Sequence, residues 1–324
     1  MRTFSPILAL RALWQLRVRK RPIVLSHGIN ARCNMHCEFC EYWKEESEEM
    51  ETDEVLKLLD EARSFGIRYY NAWTVEPLLR DELPQIMAHA HSLGMITSMI
   101  TNGKLLKQRV HDLNDVDYLS VSVDGIDAYK EIRGMDPEVV FEGIRAAVNV
   151  CTNPILMNCV ISGQNLDDID PLIHKAQELG VWISFEPLNE LEGIGSEIWN
   201  RIKVKDNKKY ENIINLIITR KKTGYPIINS LTYLKMVRDR NMDFNCRASD
   251  IILNITPNGN IENCRIKTEK LGHISDGLEN VWNRSAKKRK KISQECNGCL
   301  FFGYVEGSLL YDLKPEVMAH YEWI

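Results

Sequence analysis

From residue 22 to about residue 190, short apolar runs alternate with longer stretches whose apolar positions recur at helical spacing. The runs Ile23–Ile29, Ile67–Trp73, Met95–Thr101, Tyr118–Asp124, Ile155–Ile161 and Val181–Pro187 are rich in β-branched or aromatic residues and read as strands. Between them, Asp53–Phe65, Leu83–Leu93 and Leu166–Leu179 read as helices. Each of these helices is predicted to stop at a glycine (Gly66, Gly94 or Gly180), which accepts the left-handed conformation of a helix end. Six such units in series predict an α/β fold with parallel strands, helices outside them, and chemistry at the C-terminal strand ends. The alternation fits an open barrel and a doubly wound sheet equally well.

Near residue 195 the rhythm changes. Residues 200–225 are polar and basic around one helical stretch, Tyr210–Ile218, and beyond Asn241 the chain is loop-rich. Pro257-Asn258-Gly259-Asn260 reads as a tight turn between short strands. The expected organisation is a basic helix at 1–21, a core at 22–200, a helical connector at 201–234, a small cysteine-dependent domain at 235–305 and a tail at 306–324.

Composition narrows the class of protein. The 324 residues are 44% hydrophobic and 27% charged, ordinary values for a globular chain. A net charge of −4 implies no general affinity for nucleic acid. No apolar run reaches the ~18 residues that cross a bilayer, and Arg11 and Arg17 break up the one apolar stretch where a signal peptide would lie. The expected location is the cytoplasm. There the 9 cysteines argue for metal ligation, catalysis or burial rather than disulfides.

Cys33, Cys37 and Cys40 form a C-x3-C-x2-C run just after the first strand. Three thiolates this close can wrap one corner of a small iron–sulfur cluster, and His36 offers the fourth ligand that a zinc site would need. Downstream, Cys246 and Cys264 bracket the predicted hairpin, and Cys296-Asn297-Gly298-Cys299 is a C-x2-C knuckle. Spacing alone leaves this second group open between zinc and iron–sulfur. Cys151 and Cys159 belong to no motif and read as buried small hydrophobes.

The first cysteine run, behind the first strand of a βα series, resembles the radical SAM superfamily across residues 22 to about 190. The resemblance implies a partial (β/α)6 barrel, a 4Fe–4S cluster on Cys33, Cys37 and Cys40, and S-adenosylmethionine as cofactor. Phe39 stands at the family's aromatic position near the adenine. Glu76-Pro77 resembles the end of the glycine–glycine–glutamate–proline stretch that meets the methionine amino group, with Thr74 and Val75 in place of the glycines. Thr101-Asn102-Gly103 is similar to the family's turn after the third strand. Ser122 and Asp124 alternate onto one face of a strand that looks like the ribose-binding one, and Arg133 resembles the arginine that pairs with the SAM carboxylate. The implied chemistry is reductive cleavage of SAM to a 5′-deoxyadenosyl radical that abstracts hydrogen from substrate.

The C-x12-G-x4-C pattern from Cys246 to Cys264, with the knuckle behind it, resembles the twitch domain, a short relative of the SPASM domain. That resemblance implies a small C-terminal iron–sulfur domain with an auxiliary 4Fe–4S cluster on Cys246, Cys264, Cys296 and Cys299, serving electron transfer. The leading expectation is therefore a radical SAM enzyme, an oxidoreductase or a bond-forming transferase, acting on a small molecule or lipid. The alternative is a peptide- or protein-modifying maturase, and the non-enzymatic rival is a zinc-stabilised binding module.

Five weaker signals complete the reading. Glu186 ends the sixth strand, where it can orient or deprotonate substrate. Residues 1–21 hold 6 basic and no acidic residues, which reads as a helix packed across the barrel bottom or as one making peripheral membrane contact. The acidic segment Glu41–Glu54 and the basic run Lys287–Lys291 read as solvated faces. The alternative reading of the basic run is a docking site for an acidic electron donor such as flavodoxin or ferredoxin. His89, His91 and His174 fall on outer helices.

Overall fold

The computed structural model describes residues 6–44, 47–73, 75–189 and 194–318, with side chains from residue 10 onward. Helix α1 (Pro6–Arg17) leads into β1 (Val24–Gly28), α2 (Thr52–Phe65), β2 (Tyr69–Trp73), α3 (Leu83–Ser92), β3 (Ile96–Thr101) and β4 (Tyr118–Ser122). Then come α4 (Tyr129–Arg133), α5 (Pro137–Val148), β5 (Leu156–Ile161), α6 (Ile169–Leu179) and β6 (Trp182–Pro187). All six strands lie where the hydrophobic pattern predicts them.

Local chemistry accounts for the element ends. In α2, Val55, Leu58, Leu59, Ala62 and Phe65 recur at helical spacing and are buried. The Glu54 carboxylate accepts the Glu51 N–H at 3.0 Å to cap its start. Gly66 ends it at φ 113°, and Gly94 and Gly180 have φ 73° and 69° after α3 and α6.

The connector and C-terminal part supply α7 (Ser196–Ile202), α8 (Asn207–Lys222), α9 (Leu231–Asp239), α10 (Ala248–Ile251), β7 (Ile252–Ile255), β8 (Asn260–Glu262) and β9 (Lys270–His273). They end with α11 (Leu278–Arg284), α12 (Ala286–Gln294) and α13 (Phe302–Tyr311). The strand order is β6-β5-β4-β3-β2-β1-β7-β8-β9, parallel from β6 through β7 and antiparallel across β7-β8-β9. The fold is thus an open, partial barrel. The hairpin expected in a separate domain at 235–305 continues the core's own sheet, because β7 pairs in parallel with β1, Val24 opposite Ile252.

The residues read as a tail contain most of α13, which covers the open side of the barrel. Phe302 N–H donates to the Glu186 carboxylate of β6 at 3.0 Å, and Arg247 N–H donates to Ser308 Oγ at 2.8 Å. On the inner face of the sheet, Asn254, Ser26, Asn71, Ser98 and Tyr118 stand opposite one another on five adjacent strands. Barrel interiors are ordinarily filled by Val, Ile and Leu. Here the middle row is polar.

Helix α1 lies at the N-terminal ends of the strands. Gln15 is buried and its amide donates to the Phe65 carbonyl at 3.2 Å. That agrees with packing across the barrel bottom. Among the described residues, no helix is long and apolar enough to cross a membrane.

Candidate active site

Cys33, Cys37 and Cys40 sit on the loop that leaves the C-terminal end of β1. Cys37 is buried, and Cys40 N–H bonds to the Cys37 carbonyl at 3.2 Å, curling the loop. The three thiols share one electrostatic neighbourhood, Cys37 acting on both others. Burial pushes all three up, Cys40 to about 11. Two donors face the sulfurs: Asn102 Nδ2 lies 3.7 Å from Cys33 Sγ, and Arg133 Nη1 lies 3.9 Å from Cys37 Sγ. Among the described residues, no three His, Cys, Asp or Glu side chains converge tightly enough to hold a single metal ion.

The neighbours predicted from sequence assemble around this loop, in roles partly different from those expected. Arg133 is held at the end of α4, where Gly134 stops the helix at φ 72°. Its Nε donates to Asp124 Oδ2 at 2.5 Å, and its guanidinium carbon lies 5.4 Å from the Phe39 ring centre. Burial opposes its charge, but Asp124 and Cys37 outweigh that and hold the guanidinium protonated. Asp124 is fully buried, and its other oxygen accepts Val160 N–H at 2.8 Å. Its carboxylate therefore locks Arg133 and β5 together instead of standing open beside Ser122 to reach the same ligand hydroxyls.

Glu76 is likewise turned inward. Its carboxylate accepts Leu78 N–H, the Thr101 hydroxyl and Asn102 N–H at 3.0, 2.7 and 2.7 Å. Burial raises it to about 7 against those donors. Its carbonyl already accepts the Asn30 amide at 2.7 Å. Val75, at one of the two replaced glycine positions, has φ 20°, a strained value for a β-branched residue. Thr74 lies outside the described residues.

The second cysteine group also assembles. Cys246, Cys264, Cys296 and Cys299 act electrostatically on one another. Burial raises Cys246 and Cys264, and Cys299 to about 12. Backbone N–H groups point at the sulfurs: Ile266 and Lys267 donate to Cys264 Sγ at 3.3 and 3.1 Å, and Gly298 donates to Cys296 Sγ at 3.4 Å. Gly298 turns the knuckle at φ 84°, where a Cβ would stand 2.9 Å from the Met242 carbonyl oxygen. Cys159 is fully buried and Cys151 partly buried, as expected of cysteines outside a site.

Inside the barrel lies a cavity of about 180 Å³, far more than the ~10–15 Å³ that one water needs. Its walls include Ser26, Asn71, Ser98 and Tyr118 of the polar row, together with Arg265, Glu186 and Tyr304. Arg265 follows Cys264 and reaches back across the cavity to hydrogen-bond Ser26 Oγ on β1. Its guanidinium carbon lies 3.3 Å from the Trp73 ring centre, and its Nε has no hydrogen-bond partner among the described residues. Glu186 accepts Asn158 Nδ2 at 3.2 Å, and burial raises its carboxyl. Sequence reading missed Arg265, because nothing local distinguishes it from the other basic residues of the loop.

Comparison with known proteins agrees with this geometry. Residues 29–176 match the model of the Radical SAM superfamily. The chain thus carries a radical SAM domain over residues 29–176. A curated relative from Saccharolobus solfataricus, named a probable GTP 3′,8-cyclase, is 28% identical over 280 residues, covering 82% of this chain and 89% of that protein. One of the same name from Methanococcus aeolicus is 26% identical, covering 79% and 89%. Among solved structures, Streptococcus suis SuiB bound to S-adenosylmethionine superposes with TM-score 0.67 and 18% identity, covering 87% of this chain and 72% of SuiB. Native anSMEcpe with bound AdoMet and Cp18Cys peptide gives TM-score 0.65 and 14% identity, covering 92% and 98%. These structural likenesses establish the fold.

A radical SAM domain implies S-adenosylmethionine and one 4Fe–4S cluster. The radical SAM core fits that group: three thiols on one loop, with an amide and a guanidinium directed at two of the sulfurs. Hydrogen bonds to cluster sulfurs stabilise their negative charge and tune the potential.

Proposed function

We propose that this radical SAM enzyme takes a small polar substrate with an anionic group into the barrel cavity, anchored by Arg265. Arg265 carries the reading: a buried cation in the cavity wall beside Ser26, Asn71 and Ser98, its Nε without a hydrogen-bond partner among the described residues. Cys33, Cys37 and Cys40 would hold the cluster, which with SAM supplies the 5′-deoxyadenosyl radical. Phe39, Ser122 and Arg133 border the SAM side of that site, while Asp124 and Glu76 position it from behind. Glu186 faces the cavity, where its carboxyl would hold or accept a substrate proton. Cys246, Cys264, Cys296 and Cys299 would hold a second, fully protein-ligated 4Fe–4S cluster for electron transfer, as the thiol set and the N–H groups directed at its sulfurs suit.

The curated relatives favour one candidate within this class, cyclisation of GTP between positions 3′ and 8. A triphosphate is the kind of anion that a guanidinium takes. The test is anaerobic reconstitution, reduction, and incubation with SAM and GTP carrying deuterium at C3′. GTP-dependent 5′-deoxyadenosine bearing deuterium, with a cyclised product, is the expected result. Reductive SAM cleavage that GTP neither stimulates nor labels would remove GTP and leave other small anions to be screened. If reduced holoprotein makes no 5′-deoxyadenosine with any substrate, the enzymatic reading itself fails.

A further inference from the structure

Helix α1 packs through Gln15 but turns an apolar stripe outward. Leu10, Trp14 and Val18, each four residues from the last, are 66%, 50% and 66% exposed. Along α1 and the residue after it they span one arc, with Arg11 on one flank, while Arg17 on the other donates to the Tyr311 carbonyl. Arg19 lies over the Trp14 ring, 4.8 Å from its centre. Apolar side chains left at the centre of an exposed helix face call for a covering. Charge indicates which one. Residues 1–21 hold 6 basic and no acidic residues, although the whole chain carries −4. A stripe of Leu, Trp and Val bordered by guanidiniums is the pattern of a helix lying in a lipid interface: the apolar groups enter the acyl boundary, Trp sits at headgroup depth, and arginines reach phosphates.

We infer that α1 docks the protein on an anionic phospholipid surface. The docking face lies at the N-terminal ends of the strands, away from the cysteine loops at the other end. The membrane therefore anchors the enzyme from behind and leaves the cysteine loops on the opposite side. This inference does not depend on which substrate the cavity takes.

The test is co-sedimentation of anaerobic holoprotein with phosphatidylcholine vesicles, with and without phosphatidylglycerol. Wild type should sediment only with the anionic vesicles, less as salt rises. L10S/W14S/V18S should weaken binding roughly tenfold or more, and R11Q/R19Q by a similar factor with a shallower salt dependence. Both variants should keep wild-type reductive SAM cleavage, which controls for folding. The inference is overturned if wild type stays in the supernatant, or if neither variant changes binding. It is also overturned if the stripe variant instead abolishes a concentration-dependent dimer, which would assign the face to a second copy.

Discussion

Arg133 is a buried cation whose stability depends on one carboxylate, and that makes it testable at the level of single residues. Asp124→Ala removes the partner at 2.5 Å and leaves the guanidinium uncompensated beside Cys37. The expected loss is about 3–5 kcal/mol. Adding Arg133→Met should recover part of it, because no charge is then stranded. Urea unfolding of the anaerobic holoprotein measures the cycle, and strictly additive losses would refute the coupling. Arg265 calls for a different measurement, since its proposed partner is substrate. Arg265→Met should raise the KM of an anionic substrate about 10- to 100-fold while sparing substrate-independent 5′-deoxyadenosine formation, and Arg265→Lys should restore part of the affinity. An unchanged KM would dismiss the anchor. The two arginines also mark how far sequence reaches: Arg133 was singled out because it follows the fourth strand as the family's arginine does, though its pairing with Asp124 was not. Arg265 was not, since its importance comes from Ser26 and Trp73, both distant in sequence.

Elements whose ends are set by local chemistry were the most legible. Gly66 ends α2 because its φ of 113° suits glycine, and a Cβ there would also run into Gln15 of α1. The first half of that statement can be read from the sequence, the second only from packing. The basic run at 287–291 was half legible. It lies on α12, but Arg289 turns inward over Trp282, its guanidinium carbon 3.5 Å from the ring, leaving the lysines to form the charged face. For the loop after β8 the prediction concerns iron. If Cys264 ligates a second cluster, Cys264→Ala should lower bound iron from about eight to about four per chain and roughly halve the charge-transfer absorption. Reductive SAM cleavage should persist while product formation stops. Unchanged iron would exclude Cys264 as a ligand, and loss of SAM cleavage as well would mean that the two sites are not separable.

At the scale of the molecule, the C-terminal third completes the core instead of standing beside it, which local patterns could not reveal. Pairing of β7 with β1 joins residues more than two hundred positions apart, and no period in the sequence encodes such a contact. Helix α13 closes the remaining side, and one acid contributes to its hold on the connector beside the Tyr233–Phe302 ring contact. Glu306 Oε1 accepts Ser230 N–H, the cap of α9, at 2.6 Å, while Oε2 is buried without a hydrogen-bond partner among the described residues. Burial, despite the Ser230 donors, lifts the carboxyl from its ordinary 4.5 to about 7. Because the folded value exceeds the unfolded one, the protonated group's contribution is complete below pH 4.5 and is lost as pH rises through 7. Its full size is up to about 3 kcal/mol. Between pH 6 and pH 8 the holoprotein should therefore lose thermal stability, together with whatever Glu76 and Glu186 add in the same direction. Glu306→Gln keeps an oxygen for Ser230 and cannot ionise, so it should melt higher than wild type at pH 8 and show a smaller fall across that window. An identical fall in the variant would mean that the clasp between α13 and the connector does not titrate there.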